Sequence, residues 1–430
     1  MYQVSNSKAL VAGHRRLLTR RRSGAGVDGV GVSRTVVLLG LTSLLTDISS
    51  EMVVTVLPLY LVAVGGFSPL AFGFIDGIYN GATALMGLAS GYIGDRFGRH
   101  KETAASGYGL SAICKLLLAT IGTGVSAIGA VVLLDRAGKG IRTAPRDAMI
   151  SLSTPRDQLG TAFGVHRAMD TTGAVLGPLV AFALLAASPL AFHSVFLVSF
   201  FIALLGVGVL VLFVDQKGPV ADAEAPKRPP TLNGAFGLLR VPRYRALIIA
   251  GGLLSLVTAS DAFVYLALQK QLDLGNSLFP LLFVGSSLAY MVLAVPMGRL
   301  ADRFGRGRVL LAGYALLLTV YLVVLSPLGG WLLLALTLLL LGSYYAATDG
   351  VLMALGSPVI PEELRGSGLA LLGTVTSLSR LVASIAFGAL WTLWSVNGAF
   401  LVFGIGLGVA MAAAAVLLMR APEPAAEQVA

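Results

Sequence analysis

Cysteine is almost missing: Cys114 stands alone in 430 residues, inside an apolar run. No internal disulfide can form, and the redox compartment is left open. Charge is scarce as well. Asp, Glu, Lys and Arg together make up 12% of the chain, about half the share of a soluble protein. There are only four histidines, and none falls in the middle of an apolar run. No Gly-x-x-x-x-Gly-Lys-Ser/Thr string occurs, and no polar stretch is long enough for an ATPase domain. These shortages exclude a soluble enzyme, a nucleic-acid-binding module, a disulfide scaffold and a nucleotide-driven pump. No cofactor is expected.

What the chain has is apolar length. Hydrophobic residues reach 56%, with 52 glycines and a mean hydropathy of +0.85. Twelve apolar segments can each cross about 30 Å of hydrocarbon. They lie near 36–64, 71–93, 103–122, 125–150, 161–186, 192–214, 246–269, 278–300, 309–327, 331–356, 367–391 and 396–419. The runs are continuous and do not alternate, which excludes a β-barrel. The expected fold class is an all-α membrane protein of twelve transmembrane helices.

The net charge of +10 is informative through its placement. With the N-terminus inside, 23 bases fall in inner segments, among them Arg15, Arg16, Arg20, Arg21, Arg22, Arg96, Arg99, Lys101, Lys227, Arg228, Arg303, Arg306 and Arg308. The outer loops hold Lys270 alone. The asymmetry predicts cytoplasmic termini and a multi-pass protein of the plasma membrane, its excess charge facing anionic inner-leaflet lipid. Residues 1–33 read as a basic cytoplasmic tail without an apolar core long enough for a signal peptide. Residues 215–242, rich in Pro and charge, read as a cytoplasmic linker between a first half, 34–214, and a second, 243–420. Residues 421–430 form a second short tail.

The halves carry a repeat. The loop after span 2 reads Gly91-Tyr-Ile-Gly-Asp95-Arg96-Phe97-Gly98-Arg99-His100-Lys101. The loop after span 8 reads Gly298-Arg-Leu-Ala-Asp302-Arg303-Phe304-Gly305-Arg306-Gly307-Arg308. Six of eleven positions are identical at a constant offset of 207 residues, as a duplicated six-helix unit requires. Parallel halves of this kind place a substrate site at the midplane between them.

The repeated Gly-x-x-x-Asp-Arg-x-Gly-Arg-x-Lys pattern resembles the loop 2–3 signature of the major facilitator superfamily of secondary transporters. The resemblance covers about residues 34–420 and implies a two-half, twelve-helix transporter, normally a monomer. It implies that the loop residues (Gly91, Asp95, Arg96, Gly98 and Arg99, with Asp302, Arg303 and Arg306 in the second copy) latch the halves. Asp147 is the candidate partner for Arg96 or Arg99. Arg136-Ala-Gly-Lys139-Gly140 in span 4 resembles the family's Arg-x-x-Gln-Gly pattern, with Lys in place of Gln. Gly164, Gly173 and Gly177-Pro178 in span 5 resemble its antiporter signature, though the last two glycines of that signature are Ala181 and Phe182 here.

Charges inside spans cost roughly 2.5–3.5 kcal/mol each at mid-bilayer, so each needs a reason. Asp47 and Glu51 share one face of span 1 at i and i+4. Asp261 and Asp349 lie near the middles of spans 7 and 10, and Asp76 lies in span 2. The resembled fold lines its cavity with spans 1, 4, 7 and 10, which makes Asp47, Glu51, Arg136, Asp261 and Asp349 the expected proton-coupling and substrate residues. Two carboxylates in a low-dielectric cavity are costly to ionise together, so one can carry a proton. Span 4 also holds Asp135, Lys139, Arg142 and Arg146. Asp135 can pair with Lys139 at i+4, leaving Arg142 and Arg146 to meet Asp170 or an anion. Lys139, Arg142 and Arg146 are therefore a possible anion cluster. Lys115 and Arg380 are expected to meet acids elsewhere in the bundle.

Four readings follow. The first is a proton-coupled antiporter that exports a small organic molecule, a drug or metabolite, by alternating access. The second is an importer or exchanger of organic anions. The third is divalent-metal efflux: the string Asp135 to Asp147 also resembles a subgroup with members linked to nickel or cobalt export. Borderline metals prefer imidazole and thiolate, which this chain hardly has, so no metal site is assigned. The fourth is a non-transporting receptor on the same fold.

Overall fold

The computed structural model describes residues 32–82, 99–122, 124–155, 158–215, 237–361 and 364–420. The two tails, most of the 215–242 linker, and Gly91, Asp95, Arg96 and Gly98 of the first loop signature lie outside these residues.

The described chain is helical. In hydrocarbon the backbone has no water to bond, so an apolar run satisfies its N–H and C=O groups within itself. Helix α1 (Arg34–Leu59) begins at Ser33, whose hydroxyl accepts from the Val36 amide, and continues as a π-helical segment (Tyr60–Val64). Then come α2 (residues 69–82), α3 (His100–Thr120), α4 (Val125–Leu152), α5 (Leu159–Ala187) and α6 (Phe192–Phe213). The second half runs α7 (Pro242–Leu256, resuming as Asp261–Leu272), α8 (Phe279–Phe304) and α9 (Arg306–Leu325). It continues with α10 (Gly330–Thr348, resuming as Val351–Gly356), α11 (Arg365–Leu393) and α12 (Val396–Arg420).

Among the described residues, nine helices are long and apolar enough to cross a membrane. Two of the other expected spans, α3 and α4, have 21 and 28 residues. At about 1.5 Å per residue both can reach across the hydrocarbon. What sets them apart is charge: Lys115 in α3, and Asp135, Arg136, Lys139 and Arg142 in α4. The third, α2, is described only to residue 82.

The duplication is visible in the packing. α1 packs on α5 and α6, while α3 packs on α4 and α6. Six helices later α7 packs on α11 and α12, and α9 packs on α10 and α12. The halves meet through α5 against α8 and, at the symmetry-related position, through α2 against α11. Glycine makes the second seam close: a Cβ on Gly77 would come 2.9 Å from the Leu381 carbonyl oxygen. The Leu70 amide caps the seam by donating to Thr392 Oγ1 at 2.9 Å.

Spans 7 and 10, expected as continuous helices, are broken. Residues 257–260 interrupt α7, and Asp349-Gly350 interrupts α10, where Gly350 adopts φ +75°. A break at this depth frees backbone groups that must be satisfied by protein. Tyr321 of α9 does so at the first one. Its hydroxyl accepts from the Ala259 amide at 2.7 Å and donates to the Val257 carbonyl at 3.3 Å. Removing that hydroxyl leaves two backbone groups unpaired at a buried site. Tyr321→Phe is expected to destabilise the protein by about 1–3 kcal/mol, read as a fall in the thermal unfolding midpoint of the detergent-purified chain. An unchanged midpoint would show that the break is held in another way.

Candidate functional site

Two polar regions form within the bundle. The first lies inside the N-terminal half. Gly173 and Gly177 of α5 bring its backbone against α1 where the two carboxylates sit. A Cβ on Gly173 would lie 3.2 Å from Asp47 Cβ, and one on Gly177 would lie 2.7 Å from Glu51 Cβ. Pro178 is buried in the same contact zone, whereas Gly164 faces open space. Two residues of the antiporter-like pattern are thus packing contacts of the acids.

Bases reach these acids from α4. Arg142, 3% exposed, donates from Nη2 to Asp47 Oδ1 at 3.4 Å, with its guanidinium 4.5 Å from the centre of the Tyr108 ring. Lys139 and Arg136 lie within electrostatic reach of Glu51. Arg146 pairs with Asp147 at 2.9 Å and approaches Asp170 at 3.9 Å. Ser43 ties the group together, 2.9 Å from the buried His166 Nε2 and 3.2 Å from the Tyr108 hydroxyl. The possible anion cluster is therefore largely engaged: Arg142 and Arg146 already hold carboxylates.

The expected pairing of Asp135 with Lys139 is replaced. Asp135 accepts from Lys115 Nζ at 2.6 Å, from Ser111 Oγ at 2.5 Å and from the Arg136 guanidinium. The reason is the close α3–α4 contact: a Cβ on Gly107 would lie 2.7 Å from the Gly138 carbonyl, so Lys115 arrives from the neighbouring helix. Arg136 spreads over the Tyr79 ring at 4.2 Å. Lys115 thus meets an acid, as expected.

The loop signature divides. Arg99 pairs with Glu102 at 3.7 Å and Asp147 with Arg146, so of the two expected partners of Asp147, Arg99 is engaged elsewhere and Arg96 lies outside the described residues. Both residues of each observed pair are adjacent or one turn apart, which makes them the nearest partners. In the second copy Asp302 pairs with Arg306 at 3.3 Å, and Arg306 also donates to the Ala354 carbonyl at 2.9 Å. That ties the α8–α9 corner to α10. Arg303 lies beside the Phe304 ring.

The second region is a pair of adjoining cavities. One, about 150 Å³, lies between the halves, walled by α1 and α2 on one side and by α7, α8, α10 and α11 on the other. Its polar lining is Asp76, Tyr79, Asn80, Thr258, Ser260, Asp261, Tyr345, Arg380 and Ser384. The other, about 200 Å³, is built from α7, α8 and α10 and includes both Asp261 and Asp349. They share Asp261, Phe283 and Tyr345.

The breaks put the acids there. Asp261 is the first residue of the resumed α7 and accepts the Tyr345 hydroxyl. Asp349 closes α10 at its break and accepts the Tyr290 hydroxyl at 3.2 Å. Asp76 is held from three sides: by Ser260 Oγ at 2.9 Å, by the Ser384 hydroxyl and by Asn80 Nδ2 at 3.2 Å. The two serines belong to the opposite half, so this carboxylate clasps the seam. Arg380 lies in the field of Asp261, with its Nε buried and without a hydrogen-bond partner. Of the five expected coupling residues, Asp261 and Asp349 line a cavity, while Asp47, Glu51 and Arg136 line neither and belong to the N-terminal network. Sequence reasoning left Asp76, Tyr290 and Tyr345 out of the site. Tyr345 stands four residues before Asp349, a helical spacing that could have signalled it.

A family model described as Major Facilitator Superfamily matches residues 39–284 and 262–430. An uncharacterised major-facilitator-type transporter of Methanocaldococcus jannaschii is 33% identical over 373 residues, covering 84% of this chain and 89% of that protein. The multidrug resistance protein MdtG of Escherichia fergusonii is 26% identical over 306 residues, 69% of this chain and 72% of that one. Among solved structures, the nucleoside transporter NupG superposes with a TM-score of 0.74 at 16% identity, covering 89% of this chain and all of that one. A peptide transporter of the POT family reaches 0.75 at 15% identity, covering 92% and 96%. The last two show likeness of fold.

The Arg142–Asp47 pair gives a sharp expectation. Removing one member of a buried pair strands the other charge, at about 3–5 kcal/mol. Arg142→Met is expected to lower stability by that order, and Asp47→Leu combined with Arg142→Met to recover part of it. Thermal unfolding of the two variants checks this; a double variant worse than the single would refute the pairing.

Proposed function

Because the chain belongs to the Major Facilitator Superfamily of membrane transporters, we propose that it is a proton-coupled antiporter exporting a small organic molecule across the plasma membrane, with both termini in the cytoplasm. Residues 34–214 rock against residues 243–420, exposing the cavity between them to each side in turn. One observation supports this reading above the others: Asp76, Asp261 and Asp349 line adjoining cavities at and beside the boundary between the halves. Carboxylates so placed can take a proton on one side and release it on the other, because the solvent they face changes with the rocking.

Asp76 adds a link between protonation and movement. Its bonds to Ser260 and Ser384 cross the boundary, so opening that seam costs both of them. The 150 Å³ cavity is directly beside this clasp. The likeness to a multidrug resistance protein supports export of a drug or metabolite. The organic-anion reading is weakened, since Arg142 and Arg146 are occupied by Asp47, Asp147 and Asp170. A membrane potential supplies about 2.3 kcal/mol per charge per 100 mV, so one or two protons per cycle sustain a modest gradient.

The test is reconstitution into liposomes with an imposed pH gradient and an entrapped pH dye. A panel of amphipathic dyes and metabolites is then added. The expected result is substrate accumulation that follows the gradient, with proton movement in the opposite direction. Asp261→Asn and Asp349→Asn are expected to reduce it to the level of protein-free liposomes. Substrate movement indifferent to the gradient would sink the coupling.

A further inference from the structure

The 200 Å³ cavity differs from its neighbour in chemistry. It lies wholly within the C-terminal half, between α7, α8 and α10. Four aromatic rings wall it: Tyr265, Phe283, Tyr290 and Tyr345. Two carboxylates, Asp261 and Asp349, complete it, and no Lys, Arg or His is among its lining residues. The rings are held in place. Tyr265 and Phe283 pack edge to face at 4.5 Å between centres, and the Tyr265 hydroxyl is 2.5 Å from Ser286 Oγ.

The two acids are not equivalent. Asp261 has Tyr345 as a donor and stands in the field of Arg380 from the adjoining cavity. Asp349 has the Tyr290 hydroxyl and is exposed to the open space. A carboxylate that has one neutral donor and faces open space inside a membrane protein is left with a charge that a cation can meet. Which cation is decided by the walls. A hard metal ion needs six or more oxygen ligands and has no use for apolar rings. An organic ammonium uses both features, charge toward the carboxylate and C–H surface against the ring faces. An organic anion finds no base among the lining residues, and a neutral molecule can donate to the carboxylates but leaves their charge uncompensated.

We infer that the cavity between α7, α8 and α10 is the subsite for the ammonium group of an organic amine, held by Asp349 and Asp261 and boxed by the four rings. This rests on the reading of the chain as an exporter of small organic molecules and gives that molecule its charge. It also supplies the exchange. A proton on Asp349 removes one of the two charges that hold the ammonium, so proton and amine compete at that carboxylate.

The experiment is equilibrium calorimetry on the full chain in detergent, with no pH gradient. The probes are 2-phenylethylammonium, its neutral isostere 2-phenylethanol and its anionic isostere 3-phenylpropionate. The ammonium is expected to bind at least about tenfold more tightly than either isostere. Asp349→Asn is expected to lose about tenfold or more of that affinity and Asp349→Glu to keep most of it. Tyr290→Leu is expected to weaken binding about two- to thirty-fold. Should Asp349→Asn fail to fold, Ser287→Lys, which sets a base in the cavity wall, is expected to abolish ammonium binding while Ser287→Gln preserves it. Equal binding of the three probes, or ammonium binding untouched in folded Asp349→Asn and Ser287→Lys, would overturn the inference. The two readings fail separately. Ammonium binding without gradient-driven transport overturns the coupling alone, and gradient-driven transport of neutral or anionic compounds alone overturns the subsite.

Discussion

Hydrocarbon offers no partner to a charge or to a free backbone group, and most of this structure is an answer to that constraint. Asp135 shows the answer at its most complete. One carboxylate receives Lys115, Arg136 and Ser111, and those two bases are 2% and 3% exposed. The α3–α4 contact that brings them together depends on Gly107 and Gly138, because a side chain at either would hold the backbones apart. The same economy is seen where Tyr321 serves both orphan groups of the α7 break. At these two places charge and backbone are satisfied by neighbours, and the helices are placed where those neighbours can reach.

Within that constraint the halves have diverged. Their packing repeats six helices on, yet their polar interiors are unlike. Among the described residues of the first half, Asp47, Asp135, Asp147 and Asp170 stand against bases on continuous helices. The second half breaks the two helices that correspond to α1 and α4, and sets an acid at each break. A broken helix exposes polar backbone and turns a side chain into open space, which suits binding. A paired network on unbroken helices suits rigidity.

The class, the duplication and the approximate spans were legible because they rest on apolar length and on a repeat of eleven residues, both local in the sequence. The pairing of charges was legible only in part. Lys115 and Arg380 were expected to meet acids in the bundle, since a base in a span must; which acid depends on helix rotation and neighbour identity. Asp135 seemed set for Lys139 at i+4, and a residue 20 positions away took it instead. The breaks in α7 and α10 were not legible. Gly350 is one glycine among 52, and its positive φ becomes evident only in three dimensions. The acids at those breaks were found nonetheless, because an acid in a span is rare enough to stand out alone.

The remaining step concerns which acids are free to act. A carboxylate already joined to a base gives up that bond when it takes a proton, which opposes protonation. Asp47 faces Arg142, and Asp135 faces two bases. Asp76 and Asp349 are held by hydroxyl and amide donors, which are neutral; the hydroxyls can rotate to accept from a protonated acid, so protonation breaks no ion pair. The distinction between charged and neutral partners therefore separates acids that hold the bundle together from acids that can exchange a proton during a cycle. By that criterion Asp76 and Asp349 fit the proton exchange proposed above, and Asp47, joined to Arg142, fits the architecture that carries it.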